Sequence, residues 1–476
     1  MKKTITLSTA LFLSFCGYSQ SISFDRDTLQ VLQNSDVGIV AGADIDMDGD
    51  IDILITGNGP GTGVSTTLYG NDGSGNFAVV AQPAIVNVMG GAAEFADVDN
   101  DGDSDLLITG NTSSPAVNTN LYLNDGTGSF SLSIASGLDS VCCGDIDFGD
   151  IDGDGDLDLI MTGKNSSDNL IAQLYTNNGS GTYSLVSGTV FIPVSNSSVE
   201  FIDTDNDNDL DLLICGKDSS EIPTSALYLN NGSGSFSAGT GTPFIGSHTG
   251  DIAYGDTDND GDQDILITGI DTGGQDIAAF YVNNGGTFSL LPNSPFPGVS
   301  LHSSSFADFN NDGKLDLLHI GAATGVLIGH IYENTGSNNF VLVDSTLAGS
   351  YNGSNEVLNL NGDNKLDIIT TGTSFTAPIR APKIYFNQTT ILSNNEVQNE
   401  ELQLHIFPNP SSGYINIETK SNAYTDVEIY DLVGSQVFKK RYFESKFNIQ
   451  LNVSSGTYLI HISNENLNYT RKVIVE

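Results

Sequence analysis

Aspartates stand at alternate positions of a short loop that this chain repeats seven times. The copies open at Asp44, Asp97, Asp150, Asp203, Asp256, Asp308 and Asn359, at intervals of 53, 53, 53, 53, 52 and 51 residues. In the first copy side-chain oxygens fall at loop positions 1, 3, 5 and 9, as Asp44, Asp46, Asp48 and Asp52, with Gly49 at position 6. Alternate residues of a tight turn can aim several carboxylates at one centre. A hard cation such as calcium takes six to eight oxygens at about 2.3–2.6 Å, and a glycine at the bend lets the loop wrap it. Copies two, three and five match in full: Asp97, Asp99, Asp101, Asp105; Asp150, Asp152, Asp154, Asp158; and Asp256, Asp258, Asp260, Asp264. The fourth, Asp203, Asp205, Asp207, Asp211, has Asn208 for the glycine, a residue that also tolerates positive φ, and is expected to bind. The sixth reads Asp308, Asn310, Asp312, Asp316 and the seventh Asn359, Asn361, Asp363, Asp367. Up to seven Ca2+ ions are thus predicted, with the Asn359 loop the weakest site.

A helix-loop-helix calcium site would need a glutamate at position 12. That position holds Ile55, Ile108, Met161, Ile214, Ile267, His319 and Thr370. Short apolar runs follow position 9 instead, such as Ile53-Leu54-Ile55-Thr56-Gly57, the pattern of a buried strand ended by glycine. The loop therefore joins two strands, and position 7 would ligate through its carbonyl, so Lys314 and Lys365 can stand there. Each unit continues to Leu-Tyr-x-Asn-(Asn/Asp)-Gly, as at Leu121 to Gly126 and Leu227 to Gly232, a hairpin-turn signal. An aromatic follows at Phe77, Phe130, Tyr183, Phe236, Phe288 and Phe340.

Four short strands per unit, repeated seven times without helical periodicity, predict an all-β chain built as a seven-bladed β-propeller. The seventh unit ends at Ile384-Tyr385-Phe386-Asn387 without its aromatic strand, and Phe24 lies in phase 53 residues before Phe77. The segment from Ser21 to Leu32 is expected to complete the seventh blade and remove an open sheet edge. These units resemble FG-GAP/VCBS repeats, the integrin-α type of propeller, over residues 21 to about 388. The resemblance implies calcium in the DxDxDGxxD loops, although Ile-Thr-Gly replaces the phenylalanyl-glycyl motif. It does not name a partner.

The ends of the chain point outside the cell. Lys2 and Lys3 precede an apolar stretch from Ile5 to Phe15, too short for a bilayer and suited to a signal peptide over 1–19. Phe15 is bulky where a lipid-anchored cysteine at Cys16 would want a small residue, and no other segment reads as transmembrane. The propeller then spans 20–388, a polar linker 389–401 and a small strand-rich domain 402–476. The last carries Phe407-Pro408-Asn409-Pro410-Ser411-Ser412-Gly413, then Val427-Glu428-Ile429-Tyr430-Asp431-Leu432-Val433-Gly434, then Ser455-Gly456-Thr457-Tyr458, and ends in Lys472-Val473-Ile474-Val475-Glu476. That series is similar to the type A C-terminal sorting domain of type IX secretion. The resemblance implies an Ig-like β-sandwich, engagement of the type IX machinery, and a secreted or outer-surface location.

The net charge is −43, and 30 of the 59 acidic residues lie in the loops: five in each of the first five, three in the sixth and two in the seventh. The acidity is thus chiefly a metal signature, and it argues against nucleic-acid binding. Cys215 fills a slot that is threonine in other copies, and Cys142 and Cys143 read as buried free thiols, with a vicinal disulfide between them the alternative. No catalytic residue is assigned: His248, His302, His319, His330, His405 and His461 show no triad or metal-ligand spacing, and His319 occupies a core strand slot. The expected function is a monomeric calcium-binding module for an extracellular glycan or protein, as in adhesion. The alternative is a polysaccharide-degrading lyase or glycosidase. The inter-unit segments Val190 to Ser198, Phe244 to His248 and Leu290 to His302 vary among units; they are read as plain linkers, with ligand specificity the alternative.

Overall fold

In the computed structural model the described residues are 22–389, apart from short stretches at 34, 60, 62, 83–84, 114–115, 135 and 376–378, and, beyond 404, the strands between His405 and Val475 with a few adjoining residues. The leader predicted over 1–19 and all but the first residue of the linker predicted over 389–401 lie outside them. The chain divides into two compact units, Met1–Ile391 and Leu392–Glu476. Among the described residues every regular element is a strand.

The first unit holds seven antiparallel sheets, each with its strands side by side in chain order. The first runs Val40–Ala43, Asp52–Gly59, Gly63–Asn71, Phe77–Val80, and five more follow the same plan, the third with an added strand, Val141–Cys142. The seventh combines Asn355–Leu358, Asp367–Thr370 and Lys383–Asn387 with the N-terminal strand Phe24–Arg26, paired Phe24 to Asn387 and Arg26 to Tyr385. The first strand of each sheet neighbours its counterparts in the sheets before and after. Val40–Ala43 also meets Asn355–Leu358, so the sheets form a closed, propeller-like cycle.

Each aspartate loop joins the first and second strands of its sheet, and position 9 opens the second strand. That strand is covered on both faces by neighbouring sheets, which explains its unbroken apolar run: Ile53, Leu54, Ile55, Ile265, Leu266 and Ile267 are all fully buried. Ile53, Ile55 and Tyr69 of the first sheet share a core with Leu360, Ile369 and Ile384 of the seventh, so the closure is apolar as well as topological.

A polar device repeats at every junction. The position-9 carboxylate accepts the N–H of loop position 2 through one oxygen and the N–H of the Leu-Tyr-x-Asn asparagine through the other. In the fourth sheet Asp211 takes Thr204 N at 3.3 Å and Asn230 N at 2.8 Å. The asparagine Nδ2 then donates to the position-2 carbonyl of the preceding sheet's loop: Asn124 to Ile45 and Asn177 to Val98 at 2.8 Å, Asn230 to Ile151 at 2.8 Å, Asn283 to Thr204 at 2.9 Å, Asn334 to Thr257 at 2.6 Å and Asn387 to Phe309 at 2.9 Å. Asn71 reaches Leu360 of the seventh loop at 2.9 Å and completes the circle. The tyrosine of the same motif holds the linkers, its hydroxyl accepting Val86 N from Tyr122, Ile192 N from Tyr228 and Ile245 N from Tyr281 at 2.8–2.9 Å. Two of the variable linkers are therefore pinned from within.

The second unit contains two sheets, His405–Phe407, Tyr414–Glu418, Lys446–Gln450 and Gln436–Tyr442, Thr425–Asp431, Gly456–Asn464, Leu467–Val475. Alternate residues Ile415, Ile417, Val427, Ile429, Ile449, Ile460 and Ile462 meet in one core, the two-residue period of sheets buried on one face.

Truncating Asn230 to alanine strands the carbonyls of Ile151 and Leu210. It is expected to destabilise the first unit by about 2–3 kcal/mol in denaturant unfolding, whereas Asn231→Ala on the exposed neighbour should change stability by less than about 0.5 kcal/mol. Equal effects would show that the bridge does not carry the junction.

Candidate functional site

The aspartate loops are shaped by their own backbone. In the first, Asp44 accepts the N–H groups of Asp48 and Gly49 at 3.1 and 3.0 Å, and Asp48 accepts that of Asp50 at 3.0 Å. The same bonds recur from Asp97, Asp150, Asp256 and Asp308. Position 6 lies in the left-handed region in all seven loops, as glycine at φ 83–96° for Gly49, Gly102, Gly155, Gly261 and Gly313 and as asparagine at 69° for Asn208 and 61° for Asn364. Position 4 is left-handed too, which the sequence reading passed over. Asn100, Gly153, Asn206, Asn259, Asn311 and Gly362 suit it, whereas Met47 takes φ 58° against its preference.

Five loops bring three carboxylates together with oxygens within 4.8 Å of one another: Asp44, Asp46, Asp48; Asp97, Asp99, Asp101; Asp150, Asp152, Asp158; Asp203, Asp205, Asp207; and Asp256, Asp258, Asp260. Oδ1 atoms of Asp99, Asp203, Asp258 and Asn359 are buried without a hydrogen-bond partner. Like charges this close, with orphaned oxygens turned inward, fit a divalent cation. Burial and then the facing Asp101 raise the pKa of Asp99, and Asp152, Asp205 and Asp258 shift the same way for the same causes. At position 9 burial pushes Asp52, Asp158, Asp264 and Asp367 to about 6 and Asp105 and Asp316 to about 7, against the opposing pull of the backbone donors, and it raises Asp211. Both oxygens of each already accept an N–H, so a cation there would share them with the bridge.

The sixth and seventh loops differ in more than asparagine content. Lys314 Nζ lies 2.6 Å from Asp312 and Lys365 Nζ lies 3.6 Å from Asp363, so a resident cation already meets the position-5 carboxylate. His319 is packed, as its strand slot predicts: it is fully buried, with Nδ1 3.0 Å from Ser304 Oγ and Nε2 2.8 Å from the Pro297 carbonyl, and burial depresses its pKa to about 4. Cys142, Cys143 and Cys215 are thiols, the first two with sulfurs 3.0 Å apart.

A second acidic group was missed. The first strands carry Glu94, Asp147, Glu200 and Glu356, with Asp145 and Asp251 immediately before theirs, on the inner side of the cycle, all half-buried. Four of them stand three residues before a loop opening, an in-phase signal that the loops' own density of aspartate obscured. Asp145, Asp147 and Asp251 accept the N–H groups of Val199, Phe201 and Ser304 from the next sheet at 3.1, 2.5 and 3.0 Å. Burial raises Asp145 to about 6 and Asp147, Asp251 and Glu356 to about 7. Burial, then Asp147 and Asp145, push Glu94 and Glu200 higher still.

Comparison with known families matches the FG-GAP-like repeat to residues 44–108, 97–161, 150–214, 203–267 and 256–319, and the secretion system C-terminal sorting domain to residues 405–476. A 76-residue stretch is 33% identical to an endo-acting ulvan lyase of Formosa agariphila; it is 15% of this chain and 15% of that protein, so the chain spans a small part of its curated relative. Among solved structures an α-L-arabinanase of Penicillium chrysogenum aligns over 76% of this chain and 100% of its own at 11% identity, TM-score 0.40. The Aleuria aurantia lectin aligns over 64% and 94% at 10% identity, TM-score 0.37.

The inner carboxylates set a pH signature. A carboxyl whose folded pKa is raised contributes stability that is complete below its unfolded value near 4 and is lost as pH rises through its raised folded value, about 7 for Asp147 and Asp251. Glu200→Gln is therefore expected to raise the melting temperature by about 2 °C or more at pH 8 and to leave it unchanged at pH 4. No gain at pH 8 would show that these groups repel less than their placement implies.

Proposed function

Because the chain belongs to the FG-GAP-like repeat family and carries the sorting domain of type IX secretion, we propose that it is a calcium-dependent seven-bladed propeller that binds a glycan or a protein outside the producing cell. The sorting domain directs it to the cell surface or the medium. In this reading the two sheets of the second unit are its Ig-like sandwich. The observation that carries the proposal is the set of five clustered carboxylate loops, none of which is neutralised by a basic side chain among the described residues.

Calcium at millimolar extracellular levels and a dissociation constant of about 0.1 mM contributes about 1.4 kcal/mol per site. Over the loops this approaches roughly 10 kcal/mol, comparable with the whole stability of a domain. The ion sits in the loop that also presents the position-2 carbonyl to the next sheet's asparagine, so it stiffens the junction as well as the loop. No helix among the described residues is long and apolar enough to cross a membrane.

One observation favours the second reading, a polysaccharide-degrading enzyme: the inner carboxylates, several with pKa near 6–7, match the range of a general acid or base. The two readings separate on turnover. A surface-displayed binding module retains an immobilised glycan without shortening it, and an enzyme releases oligosaccharides that Asp147→Asn or Glu200→Gln abolishes.

Adding 1 mM calcium to chelated protein is expected to raise the melting temperature of the first unit by on the order of 10 °C. Calorimetric titration should resolve about five tighter sites and two weaker ones, the weaker set moving toward the tighter when Lys314 is changed to methionine. A thermal transition indifferent to calcium would sink the metal assignment.

A further inference from the structure

A cleft of about 640 Å³ opens between the sixth and seventh sheets, lined among others by Phe24, Arg26, Val326, Thr346, Phe375 and Tyr385. That volume lies in the range of small-ligand sites. Val326 begins the third strand of the sixth sheet and Phe375 follows the second strand of the seventh, so the mouth lies at strand ends remote from the aspartate loops.

The seventh sheet departs from the other six at two places, and both departures are cationic. Two residues after the phase-marking aromatic, the outer strands carry Val79, Leu132, Leu185, Ala238, Leu290 and Leu342, but the seventh carries Arg26. Two residues before the motif tyrosine stand Thr67, Asn120, Gln173, Ala226, Ala279 and His330, but the seventh carries Lys383. Among the described residues Arg26 makes no ion pair, and its Nε is buried without a hydrogen-bond partner. Lys383, which does not itself line the cleft, is 1% exposed and among the described residues donates only to the Ala381 carbonyl, at 3.5 Å. Burial first and Arg26 second pull its pKa down to about 8. Asp344, whose charge bears on Tyr385 of this wall, accepts the backbone N–H and the hydroxyl of Thr346 through one oxygen at 2.6 and 2.8 Å.

Two uncompensated cations side by side are costly unless an anion joins them. In a chain with 59 acidic and 16 basic residues, the lack of an ion pair to either one among the described residues marks a place kept free for a ligand's charge at Arg26, which lines the cleft. The neighbouring loops are also the least acidic of the seven. Phe375, 70% exposed, and Val326, 53% exposed, supply an apolar rim beside the guanidinium. A sugar ring presents that combination, C–H faces for an aromatic and an oxyanion for a planar fork of N–H donors.

We infer that the cleft between the sixth and seventh sheets binds an acidic saccharide, with Arg26 pairing the oxyanion and Phe375 covering the ring. The inference rests on the glycan-binding reading and narrows it to one site and one charge class. The oxyanion is a uronate carboxylate or a sulfate ester, which share this chemistry.

The test is calorimetric titration of the full-length calcium-loaded protein with a trigalacturonate, a sulfated galactose trisaccharide and a neutral galactose trisaccharide. At least one acidic sugar should bind tenfold or more tightly than the neutral one, and which does so identifies the oxyanion. Arg26→Gln should weaken that binding at least tenfold, Arg26→Lys less, and Phe375→Ala about threefold or more. Phe375 is exposed, so its removal reads the site even where the arginine variant folds poorly. Acidic sugars bound equally by wild type, Arg26→Gln and Phe375→Ala would place the site elsewhere and leave the glycan reading standing, as would preference for the neutral sugar. Binding of no sugar would overturn this inference and the glycan reading together.

Discussion

The structure depends on a carboxylate that never reaches the surface. The position-9 aspartate holds its own loop with one oxygen and an asparagine with the other, and that asparagine clasps the sheet behind it. Seven sheets alone do not make a closed cycle; each pair also needs a polar contact that fixes spacing and register where the apolar core only excludes water. Leaving either partner unpaired in that buried position costs more than the bond is worth when made. The device can therefore tolerate little variation, and Asp52, Asp105, Asp158, Asp211, Asp264, Asp316 and Asp367 are aspartate in every copy, including those whose outer loop positions have drifted to asparagine.

On the calcium-dependent reading the same carboxylate would couple fold to metal. The outer aspartates at positions 1, 3 and 5 repel one another in the absence of an ion, yet their loops are already curled by Asx bonds and left-handed residues. A bound ion would then have little conformational entropy left to remove, and its attraction would go into relieving repulsion. Where lysine stands at position 7, as at Lys314 and Lys365, part of that repulsion is relieved by the chain itself. On the calcium-dependent reading the sixth and seventh sheets would need metal less, and Arg26 and Lys383, without an ion pair among the described residues, sit in that same quarter of the cycle.

Much of this was legible in the sequence because it is periodic. The loop spacing, the apolar run after Asp52 and its counterparts, and the hairpin signal at Asn124-Asp125-Gly126 each recur in register, and local chemistry accounts for them. What escaped is what closure creates. Asn230 reads as a turn residue, and nothing near it in sequence reveals that its amide meets Ile151, 79 residues earlier. Glu94, Asp147, Glu200 and Glu356 look like ordinary polar positions of a half-exposed strand until neighbouring sheets turn them toward one another. Arg26 and Lys383 lie more than 350 residues apart, and only the pairing of the N-terminal strand with Lys383–Asn387 makes them neighbours. The left-handed position 4 was visible in the run of asparagine and glycine there, with Met47 the exception that hid it.

The most direct measurement of the central claim is crystallographic: diffraction from crystals grown in calcium, recorded at a wavelength where calcium scatters anomalously. The account predicts a peak within each of the first five loops, ringed by side-chain oxygens of positions 1, 3 and 5 and the carbonyl of position 7, with the position-9 carboxylate shared between the ion and the asparagine bridge. Loops that keep their shape but show no anomalous density at millimolar calcium would contradict it, and would make the aspartates a matter of backbone architecture alone.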